Sequence, residues 1–184
     1  MNNHHPSLES ILAQYRDSFN AKQFVPAPDS TDVLMAAFGI TPELKKSAIQ
    51  FWSRELGMCW EHLVSDLFSS VPQFGPAIKT EFGEPCDFTS AERAIDTKYR
   101  LGSGDSGTLR KLASNAHWLK SIGYIPTMLI LREDSLHGAI AHMSKAGWEV
   151  LQGEDAFNFI SAQSGRDLLE ILRANKGAWS LTRH

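Results

Sequence analysis

From Ile95 to Leu101 the chain alternates apolar or weakly polar residues with charged ones, and no other stretch constrains the fold as tightly. Residues two apart in a strand share a face. Ile95, Thr97, Tyr99 and Leu101 are therefore predicted to point one way and Asp96, Lys98 and Arg100 the other, which gives one packed face and one chemical face. A shorter apolar-flanked run, Glu84 to Ser90, carries Asp87 upstream, and Ala91-Glu92 is placed to turn a hairpin between the two runs. Two carboxylates and an ammonium gathered there suit a hard divalent cation and a phosphate, because Mg2+ takes oxygen ligands and keeps several waters.

The flanking sequence supplies the other elements. Leu8, Ile11, Leu12, Tyr15 and Phe19 recur at helical spacing, so a helix is expected from about Leu8 to Phe19. Val25 to Asp32 reads as a connector, with Asp29 or Ser30 capping a short helix that ends at Gly39. Thr41-Pro42-Glu43 is a strong helix start, combining a capping hydroxyl, a proline at the first position and an acid favoured by the helix dipole. One long helix to about Phe68 should follow, burying Ile49, Trp52, Leu56, Trp60, Leu63 and Leu67. Ala77 to Phe82 is expected as a first strand, ahead of the hairpin. A helix ending at Gly123 and an apolar strand, Tyr124 to Leu131, come next, with Pro126 at the start of that strand or on a sheet edge. Beyond Arg132 the pattern reads as a small helical cap: Ser135 to Ala146, an extended Trp148 to Leu151, Asp155 to Ser161 and Arg166 to Asn175. Trp148, Phe157 and Phe159 are expected to pack against the sheet.

Asp87 followed by Asp96-Thr97-Lys98 resembles the PD-(D/E)xK nuclease superfamily, with Pro85 two residues before the first Asp instead of adjacent to it. The element order, αβββαβ within a mixed α/β (α+β) sheet, is that of the restriction-endonuclease-like core. The text AIDTKYRLGSGDSGTL followed by GYIPTMLILRED is further similar to type II restriction endonucleases of the ApaLI-like group. The resemblance implies Mg2+-dependent hydrolysis of double-stranded DNA at a short palindromic site, leaving 5′-phosphates. Asp87, Asp96 and the carbonyl of Thr97 would hold the metal, with Glu61 as a third carboxylate from the long helix. Lys98 would orient the attacking water, contribute to its deprotonation and stabilise charge on the phosphate. An ordinary surface or core-edge glutamate is the other reading of Glu61, Glu55 is the alternative on the same helix, and Glu81 and Glu84 are reserves. A homodimer on a palindrome is expected, and a cognate DNA methyltransferase belongs to such a system without being a bound partner.

A chain of 184 residues normally makes one domain. Here residues 1–40 read as a helical extension, 41–131 as the catalytic core and 132–184 as a mostly helical part. The formal charge of -3 gives no overall attraction to nucleic acid or acidic membrane, so a DNA-binding surface must be local. Arg93, Lys98, Arg100, Arg110, Lys111 and Lys120 supply the cations for it. Two cysteines, Cys59 and Cys86, are too few for a disulfide framework, and with no apolar run of spanning length a cytoplasmic protein is expected. His4 and His5 read as terminus and not as metal ligands, and His117 as a surface or hydrogen-bonded histidine in preference to a DNA contact beside Asn115 and Trp118.

Gly102-Ser103-Gly104-Asp105-Ser106-Gly107 also matches the GxGxxG of dinucleotide-binding folds, with Glu133 and Asp134 following the next strand. The charged face of the preceding strand, the antiparallel hairpin before it and the short remainder of the chain weigh against that reading. In the nuclease reading the loop is an anion site at a helix start, where Ser103, Gly104, Asp105, Ser106 and Thr108, with Arg100, Arg110 and Lys111, contact DNA. Ser106 or Thr108 capping the helix is the simpler role. A repair or junction nuclease would share the metal site and differ in substrate, and a structural DNA-binding protein would bind without cutting.

Overall fold

The structure, a computed structural model, describes residues 13, 16, 17, 30–81, 83–102 and 106–181. The chain divides into two compact units, Met1–Ser30 and Thr31–His184, and all that follows concerns the second. The helix expected from Leu8 to Phe19 lies largely outside the described residues. In the second unit a five-stranded sheet has the order β1-β2-β3-β4-β5, with β1 at Phe74–Pro76, β2 at Phe88–Ser90, β3 at Arg93–Lys98, β4 at Ile125–Ile130 and β5 at Glu149–Gln152. The first three strands pair antiparallel and the last three parallel, the two sets sharing β3. This is a mixed α/β fold. The helices are α1 at Val33–Ala37, α2 at Pro42–Ser47, α3 at Ile49–Ser69, α4 at Ser106–Ser121, α5 at His137–Ala146, α6 at Glu154–Ser164 and α7 at Leu168–Ala174. Among the described residues no helix is long and apolar enough to cross a membrane.

Both faces of the sheet are packed. On one, Phe88, Ile95 and Leu129 join Leu56, Trp60, Val64 and Phe68 of α3 and Phe157 and Ile160 of α6. On the other, Ala94, Met128 and Ile130 join Leu112, Ala116 and Leu119 of α4 and Met143 of α5. The expectation of one packed and one chemical face for β3 is corrected here: crossover helices α4 and α5 cover the second face, as parallel connections require. Charge on that face begins only at Asp96. Leu101 lies past the end of β3 and joins the α4 side, not the Ile95 side as alternation predicted.

Trp60 fixes α3 to the sheet. Its indole is fully buried, stands edge-on to Phe157 at 5.3 Å and donates from Nε1 to the Leu129 carbonyl of β4 at 3.1 Å. Trp60→Phe keeps most of the ring but orphans that contact, and is expected to cost about 1–2 kcal/mol by urea unfolding.

The cap at Thr41 forms as predicted, its hydroxyl accepting from Leu44 N at 3.2 Å with Pro42 at the first helical position. The single long helix does not form. It breaks at Ala48 (φ -151°, ψ 61°) into α2 and α3. Beyond the break Ile49 is exposed, and Val64 and Phe68 occupy the buried stripe that was assigned in part to Ile49 and Leu63. Asp32 caps α1 in place of Ser30, accepting from Leu34 N and Met35 N, and Asp29 lies outside the described residues. The first strand is also corrected, from 77–82 to Phe74–Pro76. As an edge strand it tolerates Pro76, whose missing N–H would disrupt an inner position. Pro126 is the second residue of β4 and precedes the pairing with β5, which begins at Thr127. Glu149–Gln152 belongs to the sheet as its fifth strand, and α6 packs under it, so the C-terminal part is integral to the core and no separate cap.

Candidate active site

The hairpin brings Asp87 and the Asp96-Thr97-Lys98 run together. The Asp87 N–H donates to the Ile95 carbonyl at 2.9 Å, extending the β2–β3 ladder by one residue beyond Phe88. That places the Asp87 carboxylate over Thr97. Asp87 Oδ2 accepts from the Thr97 N–H at 2.6 Å and from its hydroxyl at 2.7 Å. Thr97 thus orients the first carboxylate with its amide and hydroxyl while its carbonyl points elsewhere, to Lys98.

Lys98 Nζ donates to Asp96 Oδ1 at 2.9 Å and to the Thr97 carbonyl at 2.9 Å, and lies 2.8 Å from Asp96 Oδ2. The Asp96 side chain is only 8 % exposed, whereas that of Lys98 is 32 % exposed and reaches the surface. Asp96 Oδ2 is buried without a hydrogen bond, the nearby ammonium being poorly aligned for one. Burial pushes the Asp96 pKa up to about 6, against the pull of Lys98. For Lys98, burial opposes the charge, but Asp96 and Asp87 more than offset it and the pKa is raised. The ammonium is therefore a cation throughout the neutral range.

The raised Asp96 pKa gives a stability prediction. The folded state takes up this proton more readily than the unfolded state, whose reference value is 3.8. The stabilisation is complete below about pH 4 and is lost as pH rises through about 6. In metal-free protein Asp96→Asn is expected to be more stable than wild type at pH 7.5 by roughly 1–3 kcal/mol, the difference shrinking toward pH 5. Urea midpoints at the two pH values check this.

Two clefts meet at Lys98. One, of about 640 Å³, runs between α3 and the end of β3 and is lined by Gly57, Glu61, Thr97, Lys98 and Arg100 among others. The other, of about 610 Å³, opens toward α4 and is lined by Glu84, Asp87, Asp96, Thr108 and Lys111. Glu61 thus borders the site from α3, and its pKa is raised by burial first and by Asp87 second, with His62 and Lys98 pulling the other way. Glu84 borders the opposite cleft, Glu81 is exposed, and Glu55 is turned away to a surface pair with Arg54.

The DNA-contact set is placed unevenly. Thr108 and Lys111 line the α4 cleft, and Ser106 opens α4. Arg110 folds back on its own helix, donating to the Ser106 carbonyl at 3.0 Å. Arg100 borders the α3 cleft and is held by Asp134, whose carbonyl accepts from its Nε at 3.1 Å. Ser103, Gly104 and Asp105 lie outside the described residues. The wider basic patch is not one surface: Arg93, at the start of β3, pairs with Glu149, contacts Thr127 and stacks on Phe159. His117 is a hydrogen-bonded surface histidine, with Nδ1 2.7 Å from the Ala113 carbonyl.

Sequence reasoning missed a buried polar network behind Lys98. Arg132 grips Asp134 with two bonds, at 2.8 and 2.9 Å, and Asp32 with a third at 3.0 Å. The Tyr99 hydroxyl donates to the same Asp32 oxygen and accepts from Lys45 Nζ at 3.1 Å. Lys45 and Arg132 are almost wholly buried. These partners are far apart in the sequence, so no local pattern announces them. Tyr99 and Arg100, immediately after Lys98, are both anchored by this network.

Among the described residues no group of three or more His, Cys, Asp or Glu side chains is arranged to hold a metal ion. The donor chemistry nonetheless fits Mg2+: the Asp87 and Asp96 carboxylates, the latter with one buried oxygen that has no hydrogen bond, and the Thr97 carbonyl, with an ammonium beside Asp96 and that carbonyl. A cation that keeps several of its waters needs no third protein carboxylate. Comparison with protein-family models, curated proteins and solved structures finds no match to this chain.

Proposed function

We propose that this protein is a Mg2+-dependent endonuclease acting on double-stranded DNA, with a site-specific, type II restriction-like activity and a restriction-endonuclease-like core. The observation that carries the reading is the position of Lys98, whose ammonium bonds both Asp96 and the Thr97 carbonyl beside an Asp87 carboxylate fixed by Thr97. The order α3, antiparallel β1 to β3, α4, parallel β4 supports it.

Asp87, Asp96 and the Thr97 carbonyl would hold the metal, and Glu61 would border it from α3. Bound Mg2+ supplies Lewis-acid stabilisation of charge on the phosphoryl group. Lys98, released from Asp96 toward the substrate, directs its ammonium at a phosphate oxygen and at the attacking water. Thr97 keeps Asp87 in place through the step. Thr108 and Lys111 meet the strand along the α4 cleft. A symmetric homodimer lets one site per chain cut both strands of a palindrome.

The dinucleotide reading is weaker. The strand order runs consecutively, without the reversal that creates a nucleotide crevice, and Asp134 is consumed by Arg132. Asp87→Ala is the direct test: cleavage should fall by about 10²-fold or more while Ca2+-supported DNA binding is kept. Glu61→Gln should be milder. Retained cleavage in Asp87→Ala would remove the assignment, and activity confined to branched or single-stranded DNA would make the protein a repair or junction nuclease.

A further inference from the structure

The α3 cleft contains a helical glycine that the fold does not require. Gly57 lies in the interior of a 21-residue helix, where glycine is unfavourable relative to alanine. Its backbone is in the ordinary helical region, and a Cβ there would meet only Tyr99 Cβ, at 3.8 Å, an ordinary van der Waals contact. Packing therefore gives no reason for glycine. What a side chain at this position would reduce is the room in the cleft, which begins at Lys98 and Thr97 and continues along α3 past Ser53.

The walls of this cleft suit one kind of occupant. Its titratable lining is Arg54, Lys98, Arg100, Tyr99 and Glu61, so cations outnumber the single carboxylate. Arg54 is exposed and, among the described residues, holds Glu55 through an exposed pair, so its guanidinium can turn to a ligand. Arg100 is fixed by Asp134 from behind. Ile49 and Met58, each about half exposed, give apolar surface between these cations. Cations around an apolar slot match a nucleotide unit, with phosphate outside and sugar and base within.

We infer that the α3 cleft is a subsite for a nucleotide of the DNA strand adjoining the scissile phosphate, with Arg54 and Arg100 holding its phosphate and Gly57 keeping the slot open. This rests on the nuclease reading and adds to it a binding site distinct from the α4 cleft. The slot begins at Lys98, so the occupant is covalently next to the phosphate that Lys98 serves.

The test compares wild type with Gly57→Ala, Gly57→Leu, Arg54→Gln and the control Gly138→Ala, which lies on α5, lines neither cleft and has open space at its Cβ. Melting temperature and steady-state cleavage of linear phage DNA are measured for each. Gly57→Ala is expected to melt about 2–4 °C higher yet to show a raised KM. Gly57→Leu should raise KM by about tenfold or more, and Arg54→Gln by several-fold with kcat nearly kept. Gly138→Ala should leave KM unchanged. If wild type cuts and both Gly57 variants bind and cut like it, the subsite is overturned while the nuclease reading stands. A wild type that cuts no DNA overturns both.

Discussion

Lys98→Ala is expected to lower Mg2+-supported DNA cleavage by about 10³-fold, the loss typical of a positioned cation or proton-transfer group at a reacting phosphate. The side chain is well placed for that effect. It is bonded to two of the proposed metal-holding groups at 2.9 Å each and is a third exposed, so it can exchange those partners for substrate. Its removal should not unfold the protein, because Lys98 is a third exposed and Asp96, left without it, can take up a proton instead of keeping an unpaired buried charge. Circular dichroism and Ca2+-supported DNA binding should remain near wild type. Lys98→Arg should rescue little, since a planar fork cannot replace a compact ammonium among three oxygens. Cleavage by Lys98→Ala at the wild-type rate would remove the mechanism.

Arg132→Ala is expected to produce the largest loss of stability, about 3–5 kcal/mol by urea unfolding, because it breaks a buried ion network by deleting the guanidinium that bonds both of its carboxylates. The guanidinium is 3 % exposed and bonds Asp32 and Asp134, which are 12 % and 30 % exposed. Without it, Asp32 keeps its helix-capping bonds but faces the Tyr99 hydroxyl with no guanidinium beside it, and Asp134 no longer has the bond that lowers its pKa. Asp32→Asn combined with Arg132→Met should cost less than the sum of the single changes, because the double variant removes both charges of that pair, with Asp134 still beside Arg100. Additive costs would mean that the network carries no coupling. The link to function runs through Tyr99 and Arg100, which the network anchors directly after Lys98.

The hairpin, the parity of Asp96 and Lys98 and the position of Asp87 were legible because each depends on local spacing. A period of two fixes which residues share a face, and the Ala91-Glu92 turn fixes the pairing of Phe88 with Ile95. Burial of the second face was not legible, since it depends on where α4 and α5 cross the sheet. The break at Ala48 was hidden because neither Ser47 nor Ala48 is a strong helix breaker. Phe74-Gly75-Pro76 was not legible as a strand because glycine and proline are depleted in strands, and only its edge position makes it tolerable. The Arg132 network joins residues up to 100 positions apart, a distance at which a single sequence gives no pairing signal. At the site, the closeness of Asp87, Asp96, Thr97 and Lys98 followed from the spacing of a motif, and the roles proposed for them come from the resemblance. The two clefts and the room left by Gly57 come only from the packing of α3 and α4 against β3.

The most direct test of the central claim is incubation of the purified protein with plasmid and phage DNA, with Mg2+ and with chelator, followed by electrophoresis and end-sequencing of the products. The account predicts discrete fragments that require Mg2+, carry 5′-phosphates and share one short sequence at their ends. Intact DNA with every divalent cation tried would contradict it.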